Sequence, residues 1–160
     1  MSKVILIPGA STGIGASTAR VLAQDNNIIV HYNRSKVEAE RVAKAVKDEG
    51  GNPLLIQANL TTEQACIDLV AQINEQFQKL DVLVNNVDGI IERLAARDLK
   101  WQNMLATFNL NTFPTIKLSS LCIPLLEKAE GSCIINITSI AMRHGAPSVT
   151  IYDASKGAID

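Results

Sequence analysis

In the stretch "IYDASKGAID", Tyr152 and Lys156 stand four residues apart, a spacing that puts both side chains on one face of a helix. A phenol beside an ammonium is proton-transfer chemistry. A free phenol has a pKa of about 10, too high for acid and base work near neutrality, and a nearby cation favours the phenolate. The sequence therefore predicts a Tyr152 pKa lowered by Lys156. Ser139, thirteen residues upstream of Tyr152, offers a hydroxyl that could bond the same reacting oxygen and polarise a carbonyl. These residues, and Asn111 at the end of "FNLN", also have ordinary readings: Ser139 as a strand-end cap, Asn111 as a helix N-cap, Tyr152 and Lys156 as a surface pair.

A second group that could do chemistry lies at the other end of the chain, in "PGASTGIG". Gly9 permits a tight turn, Gly13 lets backbone approach a pyrophosphate, and Gly15 allows close helix-strand packing, with helix-start N–H groups facing the anion. A glycine-rich loop is weak by itself, and a tight turn without a ligand is its plain alternative. Its position between an apolar run and an amphipathic one favours the ligand.

These residues must be positioned by the elements around them, and apolar runs alternate with amphipathic stretches along the whole chain. "KVILI", "NIIVHY", "PLLIQA", "DVLVNN" and "SCIINIT" read as buried strands. The stretches between them read as helices. Ile14, Thr18, Val21 and Leu22 form the apolar face of the first; Val37, Val42, Ala45 and Val46 that of the second, which Ser35 caps; Ile67, Val70 and Ile73 that of the third, led by Thr62. From Leu99 to Glu127 the pattern is two helices or one bent helix, with Pro114 a local irregularity. Strand-helix repetition implies parallel strands with right-handed crossovers, and hence an α/β doubly wound sheet.

Composition excludes several classes. The 160 residues are 47% hydrophobic and 19% charged, which argues for one globular domain rather than disorder. A net charge of -1 gives no basic footprint, so no nucleic-acid or anionic-membrane partner is expected. Cys66, Cys122 and Cys133 have neither disulfide-framework nor zinc-site spacing, so no metal is expected and a reducing cytoplasm fits. No run is long enough to span a bilayer, and Pro8 and Gly9 interrupt the first one too early for a signal-peptide core. His31 and His144 have no ligand partners at metal spacing, and Trp101 reads as packing.

The spacing G-x-x-x-G-x-G of Gly9, Gly13 and Gly15 resembles that of the short-chain dehydrogenase/reductase family. The resemblance continues through "DVLVNN", "FNLN" ending in Asn111, "INITS" ending in Ser139, and Y-x-A-S-K at Tyr152 to Lys156, in order and along the whole chain. It implies a Rossmann-like sheet of strand order 3-2-1-4-5 that lacks the family's last strands. Residues 1–160 are then one dinucleotide-binding domain, incomplete at its carboxyl end. The implied catalytic set is Asn111, Ser139, Tyr152 and Lys156, with Asn111 holding a water against the lysine. The implied cofactor set is Gly9, Ser11, Thr12, Gly13, Ile14, Gly15, Asn33, Arg34, Asn59, Leu60 and Asn86, together with Tyr152 and Lys156.

"HYNRS" carries no acidic residue at the second strand's end to bond ribose hydroxyls, whereas Arg34 could pair with a 2′-phosphate. NADP(H) is therefore expected over NAD(H), although Thr12 stands where many NADP-dependent relatives carry a basic residue. The function implied is hydride transfer between a nicotinamide and a small-molecule carbonyl or secondary alcohol, similar to bacterial 3-oxoacyl-carrier-protein reductases. A homo-oligomer through the Asn111–Lys128 helix is implied too. The sequence departs from the family pattern at Pro8, at Asn59, and at Val87 and Asp88 in "NNVDG", and it is shorter. The last departure would leave the fifth strand an exposed edge and the Tyr152 helix marginal without tertiary support. Those departures motivate an alternative, a catalytically silent nucleotide-binding fragment or pseudoenzyme. A methyltransferase on a similar sheet would leave Tyr152 with Lys156 unexplained.

Overall fold

Every expected apolar run is a strand of one sheet in the computed structural model, which describes residues 2–160. The strands are β1 (Val4–Ile7), β2 (Asn27–Tyr32), β3 (Asn52–Gln57), β4 (Val82–Asn85) and β5 (Cys133–Asn136). They pair in parallel in the order β3-β2-β1-β4-β5, the order implied by the sequence. Helices cover both faces: α1 (Gly13–Val21), α2 (Lys36–Asp48), α3 (Glu63–Phe77), α4 (Trp101–Asn111), α5 (Phe113–Leu126), α6 (Ala141–His144) and α7 (Thr150–Gly157).

Alternate strand residues point to opposite faces, so each continuous apolar run feeds two cores. Leu6, Ile29, Ile56 and Leu83 meet Leu69 and Ile73 of α3 and Leu118 and Leu125 of α5. Ile5, Ile28, Val30, Val82 and Val84 meet Ala19 of α1 and Ala39, Val42 and Val46 of α2. The first sheet face is thus packed by large side chains and the second by smaller ones, which lets α1 approach β1 closely.

That close approach corrects the expected face of α1. Gly15 and Ala19 are its buried residues, while Ile14 is 61% and Val21 82% exposed. A β-carbon at residue 15 would lie 2.6 Å from the Gly9 carbonyl oxygen, so only the glycine side of the helix can face the sheet. In α2 the inward face is Ala39, Val42, Ala43 and Val46, Val37 is exposed, and Ser35 makes no side-chain capping bond. In α3 the Thr62 hydroxyl does accept from Ala65 N, and Cys66, Leu69, Val70 and Ile73 point inward while Ile67 points out.

The Leu99–Glu127 segment divides into two helices. Pro114 sits in the first turn of α5, where a missing N–H leaves no bond unmade. His144 ends the short α6. The four residues of β5 are all exposed, so Ile134 and Ile135 form an apolar sheet edge. No helix among the described residues is long and apolar enough to cross a membrane.

Candidate functional site

A cavity of about 790 Å³ opens at the carboxyl ends of β1, β2, β3 and β4, the end at which open α/β sheets bind ligands. The loop after β1 contributes Gly9, Ser11, Thr12, Gly13 and Ile14; the loop after β2 contributes Asn33 and Arg34; the next two contribute Asn59, Leu60 and Asn86. Gly15 lies buried beneath this lining. The cavity also takes in Val87 and Asp88, two of the departures from the family pattern, and His31, which the sequence pattern does not assign to it.

The glycine loop is shaped from two sides. Asn86 Nδ2 donates to the carbonyls of Pro8 and Gly9, 3.1 Å from each, which ties the β1 loop to the β4 loop. Gly9 and Gly13 have φ of +74° and +58°, in the left-handed region that glycine tolerates. A β-carbon on Gly13 would meet nothing within 4 Å, so bare backbone faces open space beside the start of α1. That arrangement fits the pyrophosphate of a dinucleotide. Among the described residues Arg34 makes no salt bridge, leaving its guanidinium unneutralised at the cavity wall.

His31 holds the loop from the other side. Gly9 N donates to its Nδ1 at 3.0 Å, which places the ring proton on Nε2, 3.0 Å from the Ala58 carbonyl. One buried imidazole thus joins the ends of three strands, and its cue in the sequence was a polar residue inside an apolar strand. Burial lowers its pKa to about 4 against a smaller opposing pull from the Ala58 carbonyl. Because the folded pKa lies below the unfolded value of 6.5, the unfolded chain takes up the proton first as pH falls. The stability present above pH 6.5 therefore drains away as pH falls toward 4 and changes no further below it, on His31's account. We expect His31→Gln to flatten that part of the stability profile by about 3 kcal/mol. Urea unfolding of both proteins across the interval checks this, and parallel profiles would refute it.

The Tyr152 and Lys156 face is built on α7, which is docked rather than frayed. Ser155 Oγ donates to the Tyr152 carbonyl at 2.7 Å and accepts from Asn111 Nδ2 at 3.0 Å, while Thr112 Oγ1 donates to the Ser155 carbonyl at 2.9 Å. The α4–α5 junction supplies the tertiary support that a helix this short needs. Asn111 is fully buried, and its amide is committed to Gly89 and Ser155: Oδ1 accepts from Gly89 N and Nδ2 donates to Gly89 O, both at 3.0 Å. Its visible work is to fix the loop after β4 against α7.

Lys156 is a buried cation, with its side chain 1% exposed. Its Nζ donates to the Ile137 carbonyl at 2.9 Å and lies 3.3 Å from Asp88 Oδ1. The Tyr152 hydroxyl donates to Asp88 Oδ2 at 3.1 Å. Ser139 Oγ accepts from Ala141 N at the start of α6, at 3.2 Å. These contacts overturn one expectation. The Tyr152 pKa is raised, chiefly by burial, with Ser139 pulling it down and Asp88 adding to the rise. The ammonium that was expected to lower it faces a carboxylate instead.

Residues 3–160 match the family described as short chain dehydrogenase. An uncharacterized oxidoreductase of Methylorubrum extorquens is 33% identical over 159 residues, which cover 99% of this chain and 63% of that protein. A 3-oxoacyl-[acyl-carrier-protein] reductase of Staphylococcus epidermidis is 32% identical, over 99% of this chain and 65% of its own length. The chain thus spans under two-thirds of the length of these curated relatives. The solved NADH-dependent reductase A1-R′ of alginate metabolism superposes with a TM-score of 0.92 at 28% identity, covering 99% of this chain and 67% of that one. The landomycin C-6 ketoreductase LanV, solved with bound NADP and rabelomycin, gives 0.89 at 26% identity, covering 98% and 66%. With its glycine loop, sheet order and Tyr152–Lys156 helix, the chain belongs to the short-chain dehydrogenase family.

Proposed function

We propose that this chain is the dinucleotide-binding and acid/base part of an NAD(P)-dependent oxidoreductase that interconverts a small-molecule carbonyl and a secondary alcohol. The observation that carries the reading is one of placement. The bare-glycine cavity and the docked Tyr152–Lys156 face meet at the same end of one sheet, joined through the loop that carries Asn86 and Asp88. A bound nicotinamide would supply or accept the hydride. In this reading Tyr152 gives the proton to the developing alkoxide, Ser139 bonds the same oxygen, Lys156 holds positive charge beside them, and Asn111 positions the helix. Gly9, Ser11, Thr12, Gly13 and Ile14 take the phosphates over Gly15, and Asn33, Asn59, Leu60 and Asn86 line the nucleoside ends.

NADP(H) is the proposed cofactor because Arg34 stands free of salt bridges at the cavity wall and no carboxylate replaces it there. The related structures include both an NADH-dependent enzyme and one holding NADP. Cytoplasmic residence and a homo-oligomer formed through α5, whose Phe113, Ile116 and Ile123 are exposed, complete the reading. The silent nucleotide-binding alternative is favoured by one observation, the carboxylate of Asp88 on both members of the acid/base pair.

Titration with NADPH and NADH, followed by carbonyl-dependent oxidation of whichever binds, tests the proposal. Binding with turnover supports it; binding without turnover supports the alternative. Arg34→Ala is expected to weaken NADPH by about tenfold, the worth of one charge-assisted contact, while leaving NADH nearly unchanged. Equal losses for both would remove the 2′-phosphate assignment.

A further inference from the structure

Asp88 stands in the loop after β4 with its side chain 42% exposed at the rim of the cavity, and each of its oxygens has a different partner. Oδ2 accepts the Tyr152 hydroxyl at 3.1 Å, and Oδ1 faces Lys156 Nζ at 3.3 Å. We propose that Asp88 is an autoinhibitory latch: its carboxylate holds both members of the acid/base pair, which becomes competent only when that carboxylate swings away into the cavity mouth. The inference rests on the reading of Tyr152 as the acid/base group.

A phenol has a single proton to donate, and while that proton is shared with Asp88 it is not available to a substrate oxygen. The same carboxylate sits beside the charge that would otherwise ease the phenol's ionisation. The latch can open from its Asp88 side, which faces solvent and can be hydrated once it moves, while Lys156 keeps its bond to the Ile137 carbonyl.

The neighbouring elements offer few rivals for the effect. On α7 itself the ionisable neighbours are Asp153, which also pushes the phenol up, and Lys156. The α4 sequence from Trp101 to Asn111 contains no ionisable side chain. On α6, Arg143 lies 3.9 Å from Asp160 and His144 ends the helix; in the β4 loop, Glu92 accepts from Asn103.

The test is a titration that needs no turnover. The chain has two tyrosines, so NMR of protein labelled at tyrosine 13Cζ reports both, and Tyr152→Phe assigns the one lost. In Asp88→Asn, and independently in Asp88→Gly, the Tyr152 midpoint is expected to fall by about one pH unit or more. NADPH, followed by its fluorescence, is expected to bind each variant several-fold more tightly. A midpoint that stays or rises in the folded variants, or NADPH binding that weakens in them, overturns the latch. If neither parent nor variants reduce a carbonyl while the midpoint falls and NADPH tightens, the proposed reaction fails and the Asp88 contact stands.

Discussion

Gly15→Ala is expected to lower dinucleotide affinity by about two orders of magnitude, far more than the same change at Gly13. An added β-carbon at residue 15 would lie 2.4 Å from Asn86 Nδ2, 2.6 Å from the Gly9 carbonyl oxygen and 3.1 Å from Ala10 Cα. Two of these atoms are backbone, and the third belongs to an amide that already ties Pro8 and Gly9 to the β4 loop. None can yield without moving the loop. The variant can relax by shifting the loop outward, but restoring the binding geometry then costs the overpacking energy again, about 2–3 kcal/mol. At 1.4 kcal/mol per tenfold, that is about a hundredfold in affinity. Gly13→Ala meets no neighbour and carries only the left-handed backbone penalty of about 1–2 kcal/mol, which falls on stability more than on loop position. Fluorescence titration with NADPH and thermal unfolding of both variants separate these effects. Parent-like affinity in a folded Gly15→Ala protein would mean that the loop is not pinned where these contacts put it.

The strands and their order were legible because a parallel sheet buried on both faces demands unbroken apolar runs, and "KVILI" and "NIIVHY" have no other comfortable home. Helix faces were less legible. A periodic stripe through Ile14 and Val21 is as regular as one through Gly15 and Ala19, and only the separation of β1 and α1 decides between them. Small residues win there because the helix must come close, a fact about tertiary distance that periodicity does not carry. The role of His31 was hidden for a related reason: bonding across three strand ends needs the register of β2 against β1 and β3. The residues of the glycine loop and of the Tyr152–Lys156 helix were visible as types and spacings. The direction of the Tyr152 pKa was not, because it depends first on burial and then on the carboxylate of Asp88, 64 residues away along the chain. A rule built on neighbouring residues sees the lysine and misses the aspartate.

Tyr152→Phe is expected to reduce carbonyl-dependent NADPH oxidation by about 10²–10⁴-fold, the usual contribution of a positioned general acid. The substitution removes one oxygen and keeps the ring. The helix anchor survives, because Ser155 bonds the residue 152 carbonyl and Asn111 bonds Ser155, neither of which involves the phenol. The loss should therefore fall on kcat while NADPH affinity stays at or above the parent's. The sign of the pH dependence follows from the raised phenol pKa. With the folded pKa above the free value, the parent's phenol stays protonated throughout the neutral range, so reduction, which consumes that proton, should be flat with pH there. Alcohol oxidation needs the phenolate and should climb as pH rises toward the shifted pKa. The Phe variant should lose that climb along with most of its rate, whereas a variant that merely misplaced substrate would keep the slope at a lower level. Steady-state rates in both directions across the alkaline range measure the difference. A Phe variant that retains the parent's rate and slope would leave Tyr152 a surface phenol, and the acid/base role would have to be sought elsewhere around the cavity.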